Sequence, residues 1–471
     1  MDENTPKRPV NPRRRKRTPM QNFKEAYLPV ILVALVALLI LIFIISSVRN
    51  ALQKKEDERK ESIDASESQA AMEQAQKRDA DALLIECQKM YSHMDYDGVL
   101  AKISAFDATY SNASYNYAEL VQLKDQCTEK KKTLVEWSNL ADVPNLSFHM
   151  LIADPQRAFS HKGFSPVLKA DYVTVSEFSA IIQQLYDNGY VLIRPQDMVT
   201  SEADGMKPCS IYLPEGKKPI MITETHTNYY TYLIDSDGDG LADANGAGFA
   251  SRLLVDESGN FTCEMVDASG KTVTGAYDVV PILEAFIKEH PDFSYHGSKA
   301  VLAMTGYDGV LGYRTNPNPE VPVTSDPSFY QQQAEEAKKV AQALKDAGYT
   351  LACYTWDHAA YGYLSEIGIQ EDLTKWKEQV VPVIGQVDTM VFAKSSDISD
   401  GRNYVGRKYD VLKDNGFKYY LGFCSSGSPW ATVSDEYARV GRILVYGDVL
   451  KEPNGMFNGM FDPSTVLDSS R

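Results

Sequence analysis

The chain has 471 residues, 44% of them hydrophobic and 24% charged, which is enough for about two to three domains with a sizeable core. Its formal net charge of −16 argues against a nucleic-acid partner, because nucleic acids are bound by basic surfaces. Its six cysteines show no C-x-x-C spacing, which argues against a structural zinc site.

The N-terminal segment has the charge pattern of a membrane anchor. Residues 1–25 contain eight basic and three acidic side chains, and "AYLPVILVALVALLILIFII" then runs for twenty residues without a charge. A cleaved signal peptide would have a shorter apolar region and a small-x-small site, which "ISSVRNALQ" does not offer. We therefore predict a basic cytoplasmic tail at 1–25, a single transmembrane anchor at 26–48 and an extracellular C-terminal domain in the cell membrane.

Two helical segments follow the anchor. Residues 49–80 are rich in Glu, Lys, Gln and Ala and predict a solvated helical stalk without a coiled-coil stripe. Residues 81–140 carry apolar residues at helical spacing and predict a helical hairpin module, either a spacer or an interaction surface. Cys87 and Cys127 lie in its helices as a candidate disulfide or as buried free thiols, because pairing cannot be read from sequence.

From Asn145 onwards, strands and helices alternate. "VTVSEFSAIIQQLYDNGYVLI" predicts a helix, a stop at Gly189 and a strand, and similar helix–turn–strand units recur downstream. Six or more such units predict an α/β fold, a complete or distorted (β/α) barrel, over 145–455, with a C-terminal tail at 456–471. Functional residues of such barrels lie where strands end, and "MITETHTNYY", residues 221–230, is one such end.

Five segments in this order resemble the polysaccharide deacetylase family (NodB homology, carbohydrate esterase family four), in its membrane-anchored Gram-positive form. They are "SFHML", "VTVSEFSAIIQQLYDNGYVLI", "LPEGKKPIMITETHTNYY", "DAGYTLACYTWDH" and "VVPVIGQVDTMVFA", and the resemblance covers about 145–450. It implies a distorted (β/α) barrel of the polysaccharide deacetylase type. It also implies, if the protein is active, removal of acetyl groups from cell-wall polysaccharide with a divalent metal such as Zn²⁺, held by one Asp and two His.

The family's catalytic motifs are degenerate in this chain. The first motif, Thr-Phe-Asp-Asp-Gly, falls on residues 223–227, which places Thr225 at the base position and His226 at a ligand position. The second, His-Ser/Thr-x-x-His, places Tyr354 and His358 at the two ligand positions. Thr225 cannot accept a proton near neutral pH, whereas both histidines can bind zinc.

Two further motifs also depart from the family. In the third motif, Ala393, Lys394 and Ser395 stand where Pro-aromatic-Gly is expected. The family's general-acid histidine lies near the C-terminus, but His358 is the last histidine here. Base, one ligand and acid would all have to be replaced, so the ordinary family mechanism is not expected.

Three functional hypotheses follow. In the first, a catalytically degenerate deacetylase-like protein binds cell-wall glycan or a wall protein. In the second, His226 and His358 keep a metal, with Glu224, Asp357 or Asp308 completing an altered hydrolase that cleaves acetyl amides or esters. In the third, the barrel is a structural support and the helical module binds a partner protein.

The segment "DSDGDGLADANG", residues 235–246, resembles the calcium loops of thrombospondin type-three and dockerin repeats. The predicted Ca²⁺ ligands are Asp235, Asp237, Asp239, the carbonyl of Leu241, and Asp243. Gly246 replaces the bidentate acidic residue at position 12, which Asp256 or Glu257 could supply. The alternative is an acidic, glycine-rich turn without an ion.

Aromatic residues are frequent in the loops predicted at the barrel mouth. The candidates for stacking on a sugar are Tyr229, Tyr230, Tyr307, Tyr354, Trp356 and Trp430, and core packing is the alternative for each. No phosphate-binding glycine-rich loop, Ser-His-Asp order or basic groove is present, so neither nucleotide nor nucleic acid is expected as a partner.

Overall fold

The computed structural model describes residues 19–202, 205–317, 323–399 and 403–471. The chain forms two compact units, Met1–Ala82 and Leu83–Arg471. The basic residues that precede position 19, predicted as a cytoplasmic tail, lie outside the described residues.

Helix α1, Pro19–Ser92, contains the described residues of the first unit. The apolar side chains from residue 27 to residue 45 are exposed, which is the expected state of a segment that contacts lipid. Within the part of the chain that the structure describes, α1 is the one helix long and apolar enough to cross a membrane. Residues 49–80, the predicted stalk, continue in the same helix.

The remaining helices and strands alternate along the second unit. Its helices are α2 (Tyr96–Thr109), α3 (Ala118–Lys131), α4 (Pro155–Ser160), α5 (Ser165–Asp171), α6 (Val175–Asp187), α7 (Thr231–Ile234), α8 (Val279–Glu289), α9 (Pro327–Asp346), α10 (Glu366–Gln379), α11 (Val381–Ile384), α12 (Arg407–Asp414), α13 (Gly447–Lys451) and α14 (Pro463–Val466). Its strands are β1 (Leu134–Trp137), β2 (Asn145–His149), β3 (Tyr190–Leu192), β4 (Val199–Glu202), β5 (Gly205–Pro208), β6 (Ile211–Pro214), β7 (Lys218–Thr225), β8 (Arg252–Val255), β9 (Phe261–Val266), β10 (Thr272–Gly275), β11 (Val301–Met304), β12 (Thr350–Cys353), β13 (Thr389–Val391), β14 (Tyr419–Phe423), β15 (Ala431–Val433) and β16 (Ala438–Leu444).

Seven of these strands form a closed parallel barrel. They pair in the order β2–β7–β11–β12–β13–β14–β16, and β16 pairs again with β2. This closed parallel arrangement, with helices between the strands, confirms the predicted (β/α) barrel. Strand β3 adds to β7, while β15 pairs antiparallel with β16.

Helix α6 shows how the local sequence determines these units. Thr174 and Glu177 form a capping box at its N-terminus, and Phe178, Ile181 and Leu185 are buried along one face. Gly189 then adopts a φ of 81°, and a Cβ there would lie 2.7 Å from the carbonyl oxygen of Gly216. Glycine is therefore required where the chain turns into β3.

The helical module belongs to the same compact unit as the barrel. Helices α2 and α3 pack together, but Leu134–Trp137, which we assigned to the module, is strand β1 and pairs antiparallel with β6. Cys87 and Cys127 are buried free thiols here, and burial raises the pKa of each to about 11. Of the two alternatives left open by the sequence, the structure shows the free thiols.

The predicted C-terminal tail is packed against α6. The side chain of Arg471 is buried, and its guanidinium donates to both carboxylate oxygens of Glu177, at 2.7 and 2.6 Å. Asp468 accepts a hydrogen bond from Ser176, and the amide of Asn188 donates to the carbonyl of Met460. The last residues of the chain are therefore part of the folded barrel domain.

Candidate functional site

The carboxyl ends of β2, β7 and β12 bring three histidines together. His149 ends β2 and is the register partner of Thr225, the last residue of β7. His226 follows, and its Nδ1 lies 3.0 Å from Nδ1 of His149. The ring centroids of His226 and His358 are 4.9 Å apart. The structure thus brings the two predicted ligands together and adds His149, which sequence reasoning missed.

Two neutral hydroxyl groups, those of Thr225 and Tyr354, lie beside these histidines. The hydroxyl of Thr225 donates to the carbonyl of Phe148 at 3.1 Å, and its oxygen lies 2.8 Å from Nδ1 of His149. The ring of Tyr354 lies 5.3 Å from that of His226, and burial raises the pKa of the phenol. Neither group can act as a general base or an anionic ligand near neutral pH.

The three imidazoles are neutral at neutral pH. Burial is the first cause, lowering the pKa of His149 to about 4, that of His358 to about 4 and that of His226 well below its usual value. Nearby cations also lower these pKa values: Arg442 acts on His149 and His226, and Lys394 acts on His358.

Arg442 on β16 supplies a buried positive charge to this site. Its guanidinium donates to the carbonyl of Gly422 at 3.2 Å, the hydroxyl of Ser147 at 3.1 Å and the carbonyl of Phe392 at 2.8 Å. These acceptors are neutral, so the positive charge persists and disfavours protonation of the neighbouring imidazoles.

The carboxylates expected to complete a metal site point elsewhere. Glu224 faces the opposite side of β7 from Thr225, because side chains alternate along a strand, and it is buried beside Asp278. Asp357 is exposed, and the carboxylate of Asp308 accepts two hydrogen bonds from Thr231.

These residues do not fit the metal centre that the family resemblance implies. Among the described residues, the one group of three or more His, Cys, Asp or Glu ligand atoms within 4.8 Å of one another is Asp235, Asp237 and Asp239. The histidines are therefore close in pairs without converging as three ligands, and no carboxylate accompanies them.

Backbone strain is concentrated at this end of the barrel. His226, Thr355, His358 and Lys394 follow barrel strands and have φ values of 68°, 64°, 48° and 53°. A side chain in the left-handed region costs about 1–2 kcal/mol, and such residues cluster at functional sites. The strain indicates that this arrangement is maintained for a reason other than stability.

A cavity of about 590 Å³ opens at the ends of β13 and β14. Its walls combine aromatic rings, serine hydroxyls and one ion pair, including Tyr363, Ser396, Asp397, Phe423, Trp430 and Arg439. Of the aromatic residues predicted to contact a sugar, Trp430 lines this cavity.

The other five predicted aromatic residues lie outside the lining of this cavity. Tyr229, Tyr230 and Tyr354 are buried, so their rings do not reach solvent. Tyr230 instead stacks between Tyr232 and Tyr307, with ring centroids 5.5 and 5.2 Å away. Tyr307 and Trp356 are partly exposed.

The acidic loop at 235–246 gathers three of its five predicted calcium ligands. Oxygen atoms of Asp235, Asp237 and Asp239 lie within 4.8 Å of one another. The carboxylate of Asp243 instead accepts hydrogen bonds from the amide and hydroxyl of Ser236. Asp256 accepts hydrogen bonds within its own turn, from the amides of Ser258 and Asn260.

A second cavity, of about 950 Å³, lies in the helical module. It is lined by Tyr91 at the end of α1, by Tyr115, and by residues of α3 that include Val121, Asp125 and Glu129. This groove belongs to the module that the third hypothesis assigns to partner binding.

No family model and no curated protein matches this chain. Among solved structures, it is similar to the Streptococcus pyogenes deacetylase PplD in complex with acetate, at 11% identity and a TM-score of 0.36, over 70% of this chain and 100% of that chain. It is also similar to a structure described as a polysaccharide deacetylase from Mycobacterium smegmatis, at 14% identity and a TM-score of 0.21, over 35% of this chain and 44% of that chain.

Proposed function

We propose that this chain is a membrane-anchored, polysaccharide deacetylase-like protein that binds a cell-wall glycan and does not deacetylate it. This proposal depends on the chemistry and the hydrogen bonding of the Thr225 hydroxyl. The family resemblance assigns Thr225 to the base position, and its hydroxyl already donates to the carbonyl of Phe148.

Metal-dependent hydrolysis of an amide or ester uses a base to activate water and a cation to polarise the carbonyl. A threonine hydroxyl is too weak a base, and the three neutral histidines do not converge on one point. The buried charge of Arg442 also disfavours a second cation at this site. The geometry therefore supports loss of the metal-dependent reaction.

Glycan binding is supported by the neighbouring cavity. Its partly exposed Trp430 and its serine hydroxyls are the groups that proteins use to stack on sugar rings and to bond to their hydroxyls. An apolar helix that precedes the barrel in the chain is consistent with display at a membrane. Wall glycan is the polymer available on the outer face of such a membrane in a Gram-positive cell.

Three measurements on the full chain in detergent micelles test this proposal. We expect the protein to pellet with purified Gram-positive wall sacculi, to release no acetate from them and to carry no stoichiometric transition metal. Failure to pellet contradicts the binding claim, and acetate release contradicts the claim of inactivity.

The predicted topology has its own test in intact cells. With tags at both ends, external protease should remove the C-terminal tag and leave the N-terminal tag attached to the membrane fraction. Loss of the N-terminal segment from the mature protein would indicate a cleaved signal sequence and contradict anchoring.

An altered hydrolase is the second candidate, and one distance favours it. The His226 and His358 rings lie 4.9 Å apart, close enough for both to contact one cation. Stoichiometric zinc that is lost in both His226→Gln and His358→Gln, together with acetate release, would establish this candidate instead.

A further inference from the structure

The indole of Trp430 packs against two glycines in adjacent strands. Gly422 of β14 and Gly441 of β16 are register partners, and the indole lies across both. A Cβ on Gly441 would lie 2.2 Å from Nε1 of Trp430, and one on Gly422 would lie 3.3 Å from the indole ring. The paired glycines therefore leave room for the indole to lie against the strand backbones.

A buried ion pair supports the same ring. The guanidinium of Arg439 lies 5.3 Å from the Trp430 ring centroid and 4.0 Å from that of Tyr404. Asp397 accepts hydrogen bonds from Arg439 at 2.9 Å and from the hydroxyl of Tyr404 at 2.8 Å. The indole is thus held in place by contacts on several sides.

The charges at the cavity cancel. Among the described residues that line it, only Asp397 and Arg439 carry charge, and they pair with each other. Most of the remaining lining is aromatic, as at Phe423, or hydroxylic, as at Ser396 and Ser426. A ligand for this cavity needs a flat apolar face, hydroxyl or amide groups at its edge, and no net charge.

We propose that this cavity is the glycan subsite and that it selects a neutral pyranose ring, seated on Trp430, over an anionic one. The inference rests on the proposed function, because it names the class of sugar that the barrel binds. An anionic ring would be desolvated without an unpaired cation in the lining to compensate its charge, whereas a neutral ring has no charge to desolvate and can bond to the serine hydroxyls.

Calorimetric titration of the full chain in detergent micelles tests this selection. The probes are tetra-N-acetylchitotetraose, which is neutral, and tetragalacturonate, which is anionic and has the same number of rings. We expect the neutral probe to bind about tenfold more tightly than the anionic one. Equal or tighter binding of tetragalacturonate overturns the selection for a neutral ring.

Two variants test whether the sugar ring stacks on Trp430. Trp430→Ala removes the platform, and Gly441→Ala displaces the indole while keeping it in the chain. We expect both to weaken binding of the neutral probe about tenfold or more. Trp137→Ala is the control, because Trp137 of β1 is also partly exposed but does not line the cavity, and the affinity of this variant for the neutral probe should stay within about twofold of the wild type. Thermal unfolding of each variant shows whether it is folded.

The outcomes separate this inference from the proposed function. Unchanged affinity in folded Trp430→Ala and Gly441→Ala overturns the subsite, while pelleting with sacculi still supports glycan binding. If neither probe binds but the sacculi do, the inference fails alone. If neither the probes nor the sacculi bind, both proposals fail.

Discussion

The Nδ1 atoms of His149 and His226 lie 3.0 Å apart at the mouth of the barrel. Two imidazole nitrogens at this distance are joined by one N–H, which the second nitrogen accepts through its lone pair. The oxygen of Thr225, 2.8 Å from Nδ1 of His149, is a second partner for the same atom. The hydrogen bond is lost when both rings are protonated, because two imidazolium groups would present donors to each other.

Stability should therefore fall in acid. The folded pKa of His149 is about 4, below the unfolded value of about 6.5, so the unfolded chain binds more protons between these values. Neutral His149 therefore stabilises the folded chain fully above pH ~6.5. This stabilisation is lost as the pH falls towards ~4, which lowers the free energy of unfolding by about 3 kcal/mol. Chemical denaturation across this pH range should show that the free energy of unfolding falls less in His149→Gln than in the wild type. An equal loss in both proteins would contradict this prediction.

Glu224 should have the opposite effect at higher pH. Burial, followed by the charge of Asp278, raises the pKa of Glu224 well above its usual value, so the folded chain keeps a proton that the unfolded chain releases. Its contribution is present below pH ~4.5 and is lost as the pH rises, by about 1.4 kcal/mol per pH unit.

Glu224→Gln keeps the shape of the side chain and removes the titration. As the pH rises above ~4.5, the unfolding free energy of the variant should increase relative to that of the wild type, because the titration of the histidines is common to both proteins. The same pH dependence in both proteins would show that Glu224 is ionised in the folded state.

Arg471 should be essential to stability. Its side chain is 2% exposed and bonds to Glu177, which is fully buried, so removal of the guanidinium leaves an unpaired carboxylate. Arg471→Ala should lower unfolding free energy by about 3–5 kcal/mol. Arg407→Ala is the matched control. The side chain of Arg407 is 84% exposed and lies 3.4 Å from Glu366, so this substitution should lower the free energy of unfolding by less than about 1 kcal/mol. Similar losses in the two variants would contradict the role given to the C-terminus.

The acidic loop should bind calcium through Asp237. Asp235 is a poor choice for substitution, because its carboxylate accepts hydrogen bonds from the amides of Gly238 and Gly240, both at 2.7 Å, and shapes the loop. The carboxylate of Asp237 accepts a long hydrogen bond, 3.4 Å from the amide of Asp239. Asp237→Ala therefore tests ion binding with less effect on the shape of the loop.

Millimolar calcium should raise the melting temperature of the wild type by about 2–4 °C and leave that of Asp237→Ala unchanged. Magnesium at the same concentration is the control. Equal shifts in the two proteins, or none in either, would argue for an acidic turn without an ion.

The barrel was predictable because each unit repeats a local pattern of helix, glycine stop and apolar strand. Strand β16, which closes the barrel, was missed because Arg439 and Arg442 interrupt its apolar pattern. Both arginines are buried, Arg439 beside Asp397 and Arg442 against neutral oxygens. These partners lie on other elements and cannot be read from the strand itself.

The site was predictable only in part. His226 and His358 were found through their motif positions, whereas His149 is part of the apolar segment "NLSFHMLI" and matters only because it is the register partner of Thr225. Side chains alternate along β7, so Glu224 and Thr225 cannot face the same side, and this alone places Glu224 away from the histidines.

Acetate release from acetylated wall glycan distinguishes an inactive glycan-binding protein from a hydrolase. The assay uses the full chain with zinc, cobalt or manganese added in turn, on the same sacculi with which the protein pellets. The account predicts binding with no acetate above the level of the buffer for any metal, because Thr225 cannot replace a carboxylate base. Metal-dependent release of acetate that is lost in His226→Gln would contradict it and identify the chain as an active hydrolase.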